Sequence, residues 1–102
     1  MPNSIEFAAF KLKKGVSEQE FRIVSDKFNS EFLAKQQGYV SRKLLAKGEI
    51  WADLVVWETE GDFQNAMKAS KEDAAAIEYL SYLNLSAKGS FFHLFSVDKS
   101  YD

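Results

Sequence analysis

The chain has 102 residues, 46% apolar and 15% aromatic, with a formal charge of -2. That is one domain's worth of material (1–102), too hydrophobic for a disordered segment. With no cysteine and one histidine, disulfides, thiolate nucleophiles, iron–sulfur clusters, Cys-based zinc sites and multi-His metal sites are excluded. The acidic balance argues against nucleic acid as a partner, and neither a membrane-spanning run of ~18–20 apolar residues nor a signal-like opening is present, so a cytoplasmic protein is expected.

Glycines at 15, 38, 48, 61 and 89 punctuate the chain and mark candidate element boundaries. Ser4–Leu12 (SIEFAAFKL) is short and aromatic-rich and reads as a strand. Ser17 with Glu20 forms a capping-box pattern, Val16 and Phe21 flank it as a staple, and Phe21, Val24, Phe28 and Phe32 recur at helical spacing. A helix of about 20 residues ending near Gly38 is predicted. Tyr39–Lys47 and Glu49–Glu58 flank Gly48 as an antiparallel hairpin. Thr59 with Asp62, then Ser70 with Asp73, give two further capping patterns, predicting a helix of about ten residues and a renewed helix carrying Ile77, Leu80 and Leu83. Phe91–Asp98 (FFHLFSVD) is the last strand. The order is βαββαβ. Right-handed crossovers and short connections then favour an α+β, ferredoxin-like antiparallel sheet, strand order four-one-three-two, with the helices together on one face.

Side chains alternate between the faces of a strand. In the third strand one parity is Ile50, Ala52, Leu54 and Val56, and the other is Trp51, Asp53, Val55 and Trp57; the last strand is aromatic on both parities. Two helices cover only one face, and four strands of about five residues present roughly 300 Å² on the other. That is comparable to the largest apolar patch a monomer tolerates, so the second face requires a partner, and a twofold copy is the economical one. The smooth aliphatic parity suits packing against helices. The mixed parity, with Trp51, Asp53 and Trp57, is expected on the second face, closing around a partly polar cavity.

The opening strand with FKLKKG, the helix ending in QQGYVSRKLL, the hairpin strand WADLVVWET and the final strand FFHLF resemble the dimeric α/β barrel superfamily, especially its antibiotic biosynthesis monooxygenase-like group. The resemblance covers nearly the whole chain. It implies a homodimer whose two sheets face each other to form a barrel, with a pocket in each subunit between sheet and helices. Some such proteins oxygenate polycyclic phenols without metal or flavin, and others bind and degrade haem. The haem-degrading members carry an iron-ligating His on a helix, whereas the single His93 here lies on the last strand, so no cofactor is expected.

Histidine is the residue type that ordinarily titrates near neutral pH. His93, flanked by Phe91, Phe92, Leu94 and Phe95, is expected to be half-buried, as a core histidine bonded to a neighbour or as an acid–base group. Asp53 between Trp51 and Val55 needs a partner, with Arg42 on the neighbouring strand the first candidate and His93 the second. A structural ion pair and a catalytic base are the two readings of Asp53. Glu6, near a strand start, is expected to be solvated. Trp51, Trp57, Phe7 and Tyr82 are candidates to stack on a flat aromatic ligand, or are plain core. Lys11, Lys13 and Lys14 read as a solvated run. No G-x-S-x-G elbow or Gly-rich phosphate loop occurs, and EIWADLVV lacks the basic-Gly-aromatic pattern of an RNA-recognition motif.

The favoured expectation is a cofactor-independent monooxygenase-like enzyme acting on a small aromatic or phenolic molecule. Asp53 or His93 would take a proton, Arg42 would stabilise the resulting anion, and the tryptophans would hold the ring. The alternative is a non-enzymatic homodimer that binds a small ligand or serves a structural role.

Overall fold

The computed structural model describes residues 3–101. The chain runs β1 (Ser4–Leu12), α1 (Glu18–Glu31), β2 (Tyr39–Lys47), β3 (Ile50–Trp57), α2 (Glu60–Ser70), α3 (Ala74–Ser81), β4 (Leu83–Asn84) and β5 (Phe91–Ser96). All pairings are antiparallel. β3 lies between β2 and β1, and the far edge of β1 pairs with β5 along Ser4–Ala9 and with β4 at Lys11 and Leu12. The ferredoxin-like order expected from the sequence is therefore present, with the last strand beside the first.

Local chemistry sets most boundaries. The Ser17 hydroxyl accepts the Glu20 N–H at 3.0 Å, and the Thr59 hydroxyl accepts the Asp62 N–H at 3.0 Å, capping α1 and α2 as their spacing predicts. The third pattern works differently. Asp73 itself caps α3 by accepting the Ala76 N–H at 2.9 Å, while Ser70 closes α2 and donates to the Met67 carbonyl. α1 is also shorter than its apolar stripe suggests. Phe32 leaves the helical region, and a single 3-10 turn, Leu33–Lys35, follows. Gly38 then adopts φ +84 and passes so close to Asp62 that a Cβ would collide with its carboxylate, so only glycine fits both the turn and the approach. Leu83 was expected on the second helix, but α3 ends at Ser81 and Leu83 pairs with Leu12 in β4. A buried leucine satisfies the apolar spacing in either conformation, which is why the helical period ran on through it.

The sheet faces are the reverse of the sequence expectation. Trp51, Asp53, Val55 and Trp57 are buried against the helices, together with Phe21 and Val24 of α1, Phe63 and Ala66 of α2, and Tyr79 of α3. The physical reason is volume. The gap between sheet and helices is filled by large rings that meet edge-on or stacked, such as Phe21–Trp51 at 5.0 Å and Phe28–Tyr79 at 4.4 Å. The smooth row Ile50, Ala52, Leu54 and Val56 faces away from the helices, in register with Ile5, Phe7 and Ala9 of β1. On that open face Phe91, His93 and Phe95 are exposed, Phe95 by 52%. Among the described residues no helix is long and apolar enough to cross a membrane.

Candidate functional site

Asp53 sits mid-strand on the helix side, where an unpaired carboxylate would be costly. Arg42, from the adjacent β2, answers it with Nε 2.8 Å from Oδ1, and the two side chains are only 5% and 9% exposed. The guanidinium is saturated. It also donates to the Ser25 carbonyl at 3.2 Å, the Ser25 hydroxyl at 2.8 Å, Asn29 Oδ1 at 3.5 Å and the Tyr79 hydroxyl at 3.1 Å. Its plane lies over the rings of Phe28 and Tyr79. The Tyr79 hydroxyl in turn donates to Asp53 Oδ2 at 2.5 Å, a charge-assisted contact. Burial first, and the Asp53 charge second, drive the Tyr79 phenol far above its ordinary range, so it stays protonated. This cluster ties β2 and β3 to α1 and α3 across the core.

Beside it, between sheet and helices, lies a cavity of about 270 Å³. Its walls are apolar: Phe10 from the sheet, Phe28 and Phe32 from the first helical region, Trp57, Leu83 and Phe92. This volume lies just below the roughly 300–1,000 Å³ usual for small-molecule sites. Asp53 reaches the wall with both oxygens engaged, and Tyr79 reaches it with its hydroxyl engaged. Glu6, the third residue of β1, lines the same space. Its Oε1 accepts the Trp57 indole N–H at 3.1 Å. Burial raises its pKa from 4.5 to about 7, against the Trp57 hydrogen bond and with a smaller upward push from Asp53.

The residues expected to act together are thus divided. Asp53 and Arg42 meet, as their neighbouring strands allow. His93 does not join them: it lies on the opposite sheet face, exposed rather than half-buried, ranged between Phe91 and Phe95 and in register with Phe7. Phe7 also belongs to the open face, edge-on to Phe91 at 5.3 Å. Trp51 is buried under Phe21 and Arg22, away from the cavity. Tyr82 closes α3 beyond the cavity lining. Of the four aromatic candidates, Trp57 alone lines the cavity.

Glu6, expected to be solvated, is the group the sequence reading missed. The signal was parity. Ser4, Glu6, Ala8 and Phe10 register against Trp57, Val55, Asp53 and Trp51, so assigning Asp53 to the helix side assigns Glu6 there as well. Among the described residues no cluster of three or more His, Asp or Glu side chains could hold a metal ion.

No family model and no curated protein sequence matches the chain. Solved structures do. SnoaB, a cofactor-independent oxygenase from Streptomyces nogalater, superposes with a TM-score of 0.78 at 18% identity, over 98% of this chain and 97% of that one. A monooxygenase from the gene ActVA-Orf6 of Streptomyces coelicolor, solved with nanaomycin D, gives 0.67 at 13% identity, over 98% and 91%. A conserved protein from Methanosarcina mazei Go1 gives 0.69 at 18% identity, over 93% and 92%. Read with the strand order, these likenesses show that the chain shares the ferredoxin-like α+β fold of these proteins.

Proposed function

We propose that the chain is a cofactor-independent monooxygenase-like enzyme that takes a small aromatic or phenolic molecule into the cavity between sheet and helices, and that it works as a homodimer. The observation that carries this reading is the cavity, a ring-lined apolar space of about 270 Å³ with a carboxyl group on its wall. Trp57 and the phenylalanines hold a flat ring, and the dry walls favour electron transfer from an ionised phenol to oxygen over competing hydration. In the balanced reaction, a ring CH₂ of an anthrone-type substrate becomes a carbonyl. One atom of O₂ becomes the carbonyl oxygen on that carbon, and the other leaves as water with the two hydrogens.

Asp53, on the wall of the cavity, and Arg42, behind it, brace the site rather than exchanging protons, because their hydrogen-bonding atoms are already engaged. The homodimer reading is supported by the exposed phenylalanines of β5 on the same sheet face as the aliphatic row of β3, an apolar face that a second copy would cover. His93 then belongs to the interface.

The saturation of Arg42 and Asp53 also favours a second reading, a homodimer that binds a small ligand without transforming it. Incubation with an anthrone-type phenol under oxygen separates the two. Oxygen uptake with quinone formation in equal amounts supports the enzyme. Ligand binding with no oxygen uptake supports the binder.

A further inference from the structure

Among the described residues four polar side chains line the cavity, and three are spoken for. Asp53 accepts from Arg42 and Tyr79, Tyr79 donates to Asp53, and the Ser70 hydroxyl donates to the Met67 carbonyl at 2.7 Å. Glu6 is the fourth. Its Oε1 is held by the Trp57 indole, and among the described residues no group engages Oε2. Among the described residues no lysine, arginine or histidine lines the cavity. Its edge carries the exposed apolar side chains Met67, Leu80, Leu85 and Phe92, so a molecule entering from water meets hydrocarbon before it meets the carboxyl.

We propose that Glu6 is the ligand-facing proton acceptor of this cavity, selecting an uncharged flat molecule that carries a hydroxyl and turning away carboxylate and phosphate ligands. The proposal rests on the reading that the cavity holds a small molecule, and it identifies which molecule and which residue. An apolar cavity with one hydrogen-bonding oxygen discriminates by that bond, since a ligand lacking the hydroxyl forgoes it. An anion would bring a second negative charge beside Glu6 with no cation on the wall to answer it.

The groups facing Glu6 are consistent with proton exchange near neutrality. β3 contributes Asp53, whose charge favours the protonated form, and the Trp57 N–H, which favours the ionised form. β2 contributes the more distant Arg42, which also favours ionisation. β5 contributes Leu94 opposite Glu6, and α3 contributes the neutral Tyr79 hydroxyl to the same wall.

Calorimetric titration of the native chain and of Glu6→Gln with naphthalene, 1-naphthol and 1-naphthoate at pH 8 tests this. In the native chain 1-naphthol should bind about fivefold tighter than naphthalene and about tenfold tighter than 1-naphthoate. Glu6→Gln should bring 1-naphthoate within about threefold of 1-naphthol and leave naphthalene unchanged, which shows that the cavity is intact. Equal binding of 1-naphthol and naphthalene by the native chain, equal binding of 1-naphthol and 1-naphthoate, or an unaltered ranking in Glu6→Gln overturns the proposal. The native ranking decides by itself if the variant folds poorly. Failure of all three probes to bind removes the small-molecule reading of the cavity, and this proposal with it.

Discussion

The two faces of the sheet are both rich in apolar residues, yet they differ in what the apolar residues surround. The helix side holds large rings packed around an ion pair, a tyrosine and a glutamate. The open side holds an aliphatic row, three phenylalanines and one exposed histidine, with lysines 43 and 47 on its β2 border. A buried polar group survives where the fold supplies a partner, and only the helix side has elements close enough to supply one. The comparison therefore assigns chemistry to the helix side and association to the open side.

The largest effect should come from breaking the helix-side cluster. Asp53→Ala leaves the Arg42 guanidinium buried without its carboxylate and should destabilise the fold by about 3–5 kcal/mol, read from urea unfolding. Next is the open side. Phe95→Asp places a charge in the apolar face and should weaken self-association about hundredfold, ~2.7 kcal/mol, in sedimentation equilibrium, with the monomer's circular dichroism unchanged.

Glu6 gives a smaller effect with a definite sign. Its folded pKa of about 7 lies above the ordinary 4.5, so the stability it contributes is complete below pH 4.5 and lost as pH rises through 7. Glu6→Gln keeps an acceptor for Trp57 and cannot ionise. It should be more stable than the native chain above pH 7, by about 2 kcal/mol once the shift is discounted for the solvent that reaches this half-buried carboxyl, with the gap closing toward pH 4.5. The smallest effect belongs to neither face: Ser17→Ala removes the α1 cap and should cost about 1 kcal/mol in the same unfolding experiment.

How far the sequence could be read follows the range of each interaction. The caps at Ser17 and Thr59, the Gly48 turn and the adjacency of Arg42 to Asp53 depend on neighbours in the chain or across one hairpin, and they were legible. The orientation of β3 was not. A row of Trp, Asp, Val and Trp looks too mixed for a core until Tyr79, 26 residues beyond Asp53, is known to donate to it. Glu6 was placed in solvent by its position near the start of β1, and the face of β3, read correctly, would have moved it inside through the pairing of Glu6 with Val55. β4 was missed because a two-residue strand has no period to detect.

One titration tests the division of labour most directly: 1-naphthol added to isotopically labelled protein, followed by the Trp57 indole N–H and the His93 imidazole in nuclear magnetic resonance spectra. The account predicts that the Trp57 signal shifts progressively to saturation while His93 stays in place. Saturable movement of His93, with Trp57 stationary, would put the ligand on the open face and contradict it.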